Sequence, residues 1–163
     1  MKKYILFIVL IGFFIFLQST IFYESVSLQG VQPDFVLIVV CVAAYILGPL
    51  PGQVIGFCAG LLIDILAGGL LGISAFAYTV IGYGVGSVAS RLYRHSVFTS
   101  AIMLFFATLI KGLLLSTAGA VFLEPGYFGF FTHGRVFLEA ILNCFLAPPL
   151  FFVITRLEER FAG

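Results

Sequence analysis

The sequence predicts an all-α integral membrane protein with six transmembrane helices, on the basis of three observations. Hydrophobic residues make up 62% of the 163 positions, whereas a soluble domain has about 45–50%. Charged residues make up only 9%, against about 25% in a soluble domain. The apolar residues also form long runs between short polar loops, as membrane-spanning helices do. We therefore expect residues 1–163 to form a single membrane domain.

The first predicted helix covers residues 4–22, which follow the basic start Lys2-Lys3. A secretory signal peptide would begin in the same way. Its apolar core would be shorter, however, and would end in a small-x-small cleavage site. The run here has 19 residues, which is long enough to cross a bilayer. We interpret it as a retained first helix.

The second and third predicted helices, residues 34–47 and 52–66, are short and are separated only by the uncharged turn GPLPG. About 15 residues of helix extend about 22 Å, against a hydrocarbon core of about 30 Å. They are therefore either two short spans or a re-entrant hairpin that enters from outside. We favour two spans, because re-entrant pairs are rarer.

The remaining predicted helices cover residues 71–90, 97–123 and 135–155, and a short charged tail follows them. With the N-terminus in the cytoplasm, six of the eight Lys and Arg residues lie on the inside, as the positive-inside rule requires. We therefore predict that both termini are cytoplasmic. The inside basic residues are Lys2, Lys3, Arg91, Arg94, Arg156 and Arg160.

The composition and the polar residues argue against several classes of function. The net charge of +1 provides no basic face for a nucleic acid. Cys41, Cys58 and Cys144 lie in apolar runs without metal-ligand spacing, and we expect them to be small apolar side chains rather than a disulfide. His95 and His133 lie in loops on opposite sides of the predicted membrane. We therefore predict no catalytic residue, no cofactor and no metal site.

A glycine stripe runs through the third helix, where every fourth residue is small or acidic. Glycines four apart on one helix face allow another helix to approach closely in lipid. A second stripe, on the fourth helix, is expected to pack against it. If the fourth helix leaves the face of Gly52 to Gly60 open, a partner's helix could lie there, and Gly56→Leu or Gly60→Leu would weaken partner binding without affecting insertion. The predicted helix-packing residues are Gly52, Gly56, Gly60, Gly68, Gly72, Gly82 and Gly86.

Five ionisable residues fall within or beside the apolar segments, all in the predicted outer half of the bilayer. Three readings are open: ion pairs that fix helix register, an outward-facing site for an ion or small ligand, or snorkelling to the interface. Asp34 follows Pro33 at a helix start, where its carboxylate can cap free N–H groups. We also predict a pair between Asp64 and Lys111. The cluster consists of Asp34, Asp64, Lys111, Arg135 and Glu139.

The predicted outer loop before the last helix is rich in aromatic residues and reads YFGFF over residues 127–131. Aromatic side chains just outside a membrane either lie in the headgroup layer or contact another membrane protein. The sequence favours neither interpretation over the other.

The arrangement of these residues resembles the MreD family of bacterial rod shape-determining proteins. The resemblance rests on Pro33-Asp34 and on the pattern Gly56-x-x-x-Gly60-x-x-x-Asp64-x-x-x-Gly68-Gly69-x-x-Gly72, and it extends over nearly the whole chain. The first helix and the last two match the family only in character.

The resemblance implies a non-catalytic scaffold in the cell-wall elongation machinery, located in the bacterial inner membrane. The implied partner is the single-span protein MreC, and through it the MreB filament, the polymerase RodA and a class B penicillin-binding protein. The implied fold is similar to the six-helix S components of vitamin transporters. The alternative function is therefore an S-component-like subunit that binds or transports a small molecule or lipid. Self-association is left open.

Overall fold

The computed structural model describes residues 2–20, 30–68, 70–89, 97–122 and 134–162. Within these ranges the chain forms six α-helices, one for each predicted segment, which confirms the all-helical prediction. The aromatic residues 127–131 and both histidines lie outside the described residues. The helices are α1 (Lys2–Thr20), α2 (Phe35–Leu47), α3 (Pro49–Ala67), α4 (Ile73–Ala89), α5 (Val97–Phe122) and α6 (Arg135–Ala162).

Helix α2 forms the centre of the bundle and contacts each of the other five helices. Those five surround it in the order α1, α3, α4, α5, α6, and α6 returns to contact α1. Residues Val36 to Ala44 of α2 are buried without interruption, as expected for a helix that is apolar on all sides and enclosed by others. With 13 residues, α2 extends only about 20 Å. Its middle turns are covered by protein rather than by lipid.

Helix α3 is longer than predicted, with 19 residues instead of the expected segment 52–66. It begins at Pro49, and both Pro49 and Pro51 lie in its first turn, where the N–H group that proline lacks has no helical partner. It ends at Ala67 and is capped by Gly68, whose φ of 65° is in the left-handed region that favours glycine. At about 28 Å, this helix is not the short segment that the sequence suggested.

Within the described parts of the chain, three helices are long and apolar enough to cross a membrane: Pro49–Ala67, Phe98–Phe122 and Arg135–Phe161. Helices α2 and α4 are apolar but shorter. The fold is therefore that of a helical membrane protein.

Helix α6 also continues past its predicted end at residue 155, through the charged residues that were expected to form a tail. Two contacts hold this extension. Lys3 of α1 forms an ion pair with Glu158, and the Arg156 guanidinium lies 5.1 Å from the centre of the Phe152 ring. The predicted end of the helix at residue 155 was therefore too early, because these two contacts stabilise the helix beyond the apolar run.

Candidate functional site

The glycine face of α3, formed by Gly52, Gly56 and Gly60, lies against the backbone of α4. A Cβ atom at Gly56 would lie 2.8 Å from the carbonyl carbon of Tyr78, and one at Gly60 would lie 2.6 Å from the Cα of Ala75. Real Cβ atoms do not approach other atoms this closely. The two helices therefore pack backbone to backbone, and any side chain at these positions would force them apart.

The second glycine stripe meets the same interface from α4. A Cβ at Gly82 would lie 2.6 Å from the carbonyl carbon of Gly52, and one at Gly86 would lie 2.5 Å from the Cα of Pro49. On the side of Gly52 that faces α2, an added Cβ would lie 2.5 Å from the Cβ of Ala44. Helices α4 and α2 thus fill the glycine face of α3, and it has no room for a partner's helix.

Two of the predicted packing glycines have a different role. Gly68 and Gly72 have φ values of 65° and 102°, and a Cβ at either would meet nothing within 4 Å. They form the turn between α3 and α4 rather than a packing surface. The spacing of four continues in the sequence after α3 has ended at Ala67, so their assignment to helix packing was wrong.

Asp64 caps the N-terminus of α4 across this turn. Its carboxylate oxygens accept hydrogen bonds from the backbone N–H groups of Gly72 at 2.8 Å, Ser74 at 3.2 Å and Ala75 at 3.2 Å. The first N–H groups of a helix have no partner within the helix, and an anion there also complements the helix dipole. The predicted pair of Asp64 with Lys111 is therefore wrong.

Lys111 instead joins two other acids in a buried ion cluster, which we define as Asp34, Lys111 and Glu139. Its ammonium nitrogen lies 2.7 Å from Oδ2 of Asp34 and also donates to Oε1 of Glu139. All three residues are at most 9% exposed. They come from the start of α2, the middle of α5 and the first turns of α6, so the cluster ties three helices together.

A network of neutral polar groups surrounds the ion cluster. Oδ1 of Asp34 accepts from the N–H of Leu37 at 2.9 Å, and the hydroxyl of Tyr78 donates to Oδ2. The N–H of Asp34 donates to Oδ1 of Asn143 at 2.8 Å. The amide of Asn143 in turn donates to the Thr108 hydroxyl at 3.0 Å. The cap expected at Asp34 is thus present, within a larger network.

Tyr78, Asn143 and Thr108 were not predicted from the sequence, although the spacing of Asn143 and Thr108 gave a signal. Asn143 lies four residues after Glu139, and Thr108 lies three residues before Lys111, so each shares a helix face with a charged residue. Polar side chains beside an intramembrane charge are expected to complete its hydrogen bonds. Tyr78 had no such neighbour in its own helix.

The fifth predicted member, Arg135, lies apart from the ion cluster. It is exposed at the start of α6, and its guanidinium lies near Gly30, 3.9 Å from where a Cβ would stand. Among the described residues, no group of three His, Cys, Asp or Glu side chains could hold a metal ion. Of the five predicted ionisable residues, the structure therefore brings together three.

An open apolar groove lies between α4 and α5, with a volume of about 410 Å³. Gly84 lines it, and a Cβ at Gly84 would meet nothing within 4 Å. Gly84 was not among the predicted packing residues, because it falls between Gly82 and Gly86 and outside their spacing of four. The sides of this α4–α5 groove are formed by Val80, Gly84, Val88, Ile102, Phe106 and Ile110.

A bundle of apolar helices with close backbone contacts and internal ion pairs defines a helical membrane protein. Over residues 1–157 the chain matches the family described as rod shape-determining protein MreD. The chain belongs to this family, and its role is in the determination of cell shape. No solved structure matches it, so the expected similarity to the S components of vitamin transporters stays a prediction.

Proposed function

We propose that this chain is a non-catalytic membrane scaffold of the cell-wall elongation machinery. It would pack against a single-span, MreC-like partner and through it connect to MreB, RodA and a class B penicillin-binding protein. Membership of the rod shape-determining family supports the process. The observation that carries the scaffold role is that the interior polar groups of the bundle bind one another.

The alternative is a subunit that binds or transports a small molecule, and the charges in the bundle are what favoured it. A ligand site needs polar groups that converge on an open cavity. Lys111 is instead occupied by Asp34 and Glu139, and Asp64 is occupied by three backbone N–H groups. This arrangement favours the scaffold over the carrier.

We further propose six spans in the inner membrane with both termini in the cytoplasm. The excess of Lys and Arg in the loops assigned to the inside supports this orientation. The ion pair between Lys3 and Glu158 supports the placement of both termini on the same side, because it holds the first turn of α1 and the last turns of α6 at one end of the bundle.

The α4–α5 groove is the surface that we assign to the partner's helix, since the glycine face of α3 is filled. Gly84 lets a second helix approach closely, and Val80 and Val88, one turn to either side, provide ridges for its side chains. The implied partner crosses the membrane once, so its apolar helix has the shape and chemistry that such a groove accepts.

Native mass spectrometry of the tagged chain, extracted in mild detergent from its own host membrane, tests the scaffold role. We expect a mass increment equal to a whole protein that has one transmembrane helix and a coiled coil. A monomer that carries only a small bound molecule would overturn the scaffold and make the chain a binding or transport subunit.

A pair of glycine substitutions tests the assigned groove. Gly84→Leu would fill the groove and is expected to abolish co-purification of the partner. Gly12→Leu is the matched control, because Gly12 on α1 is also helical and also has nothing within 4 Å of a Cβ. If Gly84→Leu retains the partner at the wild-type yield, or if Gly12→Leu loses it equally, the groove assignment fails.

A further inference from the structure

The ion cluster contains one more acid than base. Asp34 and Glu139 can carry two negative charges, and Lys111 carries one positive charge. Among the described residues, no other Lys or Arg forms an ion pair with either acid. The three side chains are between 5% and 11% exposed, and an uncompensated charge in such a site is strongly unfavourable. The fully ionised cluster would carry a buried charge of −1.

The two carboxyl groups differ in how well their surroundings stabilise a negative charge. Asp34 accepts hydrogen bonds from the Leu37 N–H, the Tyr78 hydroxyl and the Lys111 ammonium. It also lies at the N-terminus of α2, where the helix dipole favours an anion. The Glu139 carboxyl group accepts one hydrogen bond from the described residues, donated by Lys111. Asp34 is therefore the better site for the charge, and Glu139 is the better site for a proton.

We propose that Glu139 is a proton-binding site, which holds one proton in the folded chain at neutral pH and makes the ion cluster neutral. Lys111 then forms an ion pair with ionised Asp34 and donates a hydrogen bond to the carbonyl oxygen of the Glu139 carboxyl group. The proton comes from water, and no other group changes its covalent state.

The groups that face the cluster from the surrounding helices support this assignment. The Tyr78 hydroxyl of α4 donates a hydrogen bond to Asp34, and the Cys41 thiol of α2 lies within electrostatic reach of it. Neither group can carry a positive charge. The amide of Asn143 and the hydroxyl of Thr108, from α6 and α5, do not titrate. From α1, the Gln18 amide donates to the carbonyl of Pro33 at 3.4 Å. None of these described groups supplies a second positive charge.

The proposal makes the stability of the chain depend on pH with a defined sign. At neutral pH the folded chain holds one proton at Glu139, whereas an exposed glutamate in the unfolded chain is ionised, with a pKa of about 4.3. The folded state therefore binds one more proton than the unfolded state. As the pH rises, the equilibrium constant for unfolding increases up to about tenfold per pH unit. The dependence ends at the pH at which Glu139 in the folded chain releases its proton.

Unfolding of the purified full-length chain in detergent, measured by titration with a denaturing detergent from about pH 6 to pH 9, tests this dependence. Glu139→Gln replaces the protonated carboxyl with a neutral side chain of the same shape and is expected to remove the dependence. Glu158→Gln is the matched control, because Glu158 is also buried, at 8% exposed against 4% for Glu139, but is paired one to one with Lys3. It is expected to keep the wild-type dependence. Equal dependence in the wild type and Glu139→Gln, or none in the wild type, would overturn the proposal.

Infrared spectroscopy keeps the proposal testable if Glu139→Gln does not fold. We expect the folded wild-type chain at neutral pH to show the C=O stretching band of a protonated carboxylic acid, shifted in D₂O. Absence of the band would mean that every acid is ionised, and the proposal would fail. If the variant folds, the band should be absent from it. A band that persists in Glu139→Gln and disappears in Asp34→Asn would place the proton on Asp34 and refute the assignment.

Discussion

Replacing Gly56 with alanine should destabilise the chain, whereas the same change at Gly84 should not. The added Cβ at Gly56 would lie 2.8 Å from the carbonyl carbon of Tyr78 and 3.3 Å from the nitrogen of Thr79. Both atoms belong to the backbone of α4 and cannot rotate away. At Gly84 the added Cβ meets nothing within 4 Å. The pair therefore separates the effect of close packing from the effect of the substitution itself.

The expected magnitude at Gly56 follows from two opposing effects. To reach the ordinary carbon–carbon separation of about 3.5 Å from the Tyr78 carbonyl carbon, α4 would have to move by at least about 0.7 Å, and the Tyr78 carbonyl oxygen lies closer still. Inserting a methylene or methyl group into a packed interior costs about 1–3 kcal/mol. Alanine favours a helix over glycine by up to about 1 kcal/mol in water. Because the atoms that the Cβ meets are backbone, the packing cost should lie in the upper part of its range, at about 2–3 kcal/mol. The free energy of unfolding should therefore fall by about 1–2 kcal/mol for Gly56→Ala and stay equal or rise for Gly84→Ala.

The assay is unfolding of each purified variant in detergent by titration with a denaturing detergent, followed by circular dichroism. Partner protein is left out, so that the measurement reports the packing of this chain alone. A Gly56→Ala variant as stable as the wild type, or a Gly84→Ala variant destabilised to the same extent, would refute the close contact between α3 and α4.

Two further predictions concern the charged residues. Asp64→Ala removes the acceptor for three backbone N–H groups of the α3–α4 turn and should lower the free energy of unfolding by about 1–3 kcal/mol. Exchanging Asp64 and Lys111 should not restore the loss, and a rescued double variant would contradict the cap. Lys3→Ala should change the stability by less than about 1 kcal/mol, because Lys3 is 44% exposed and its pair with Glu158 is screened by solvent. A larger loss in the same unfolding assay would contradict the screening by solvent and show that the pair contributes more than an exposed one.

The positions of the helices could be predicted from the sequence because each apolar run must be covered by lipid or by other helices. The end of α6 could not be predicted in this way. Residues 156–162 are mostly charged and lack an apolar pattern, and their helix is held by contacts with Lys3 and Phe152. The pair between Lys3 and Glu158 is a tertiary contact and leaves no local signal in the sequence, whereas Phe152 and Arg156, four residues apart in one helix, do leave one. The start of α3 was predicted too late for a different reason: its first turn contains two prolines, which a helix accepts at that position.

The composition of the ion cluster could be predicted only in part, because sequence position gives depth in the membrane but not direction around a helix axis. Asp34 and Asp64 were both assigned to the outer half, and either could have met Lys111. The deciding factor is local. Asp64 is followed closely in the sequence by the first N–H groups of the next helix, which have no partner within that helix. Asp34 has only the Leu37 N–H to cap, so its second oxygen remains available to Lys111.

The closed glycine face changes how substitutions in the family pattern should be interpreted. Gly56, Gly60 and Asp64 all act within the α3–α4 unit, two by allowing backbone contact and one by capping α4. A leucine at either glycine would separate the helices, so any loss of partner binding would follow from damage to this chain. Such a loss would therefore not show which surface of the chain binds the partner. Gly84 faces open space, and a substitution at such a position can weaken partner binding without first disturbing the fold.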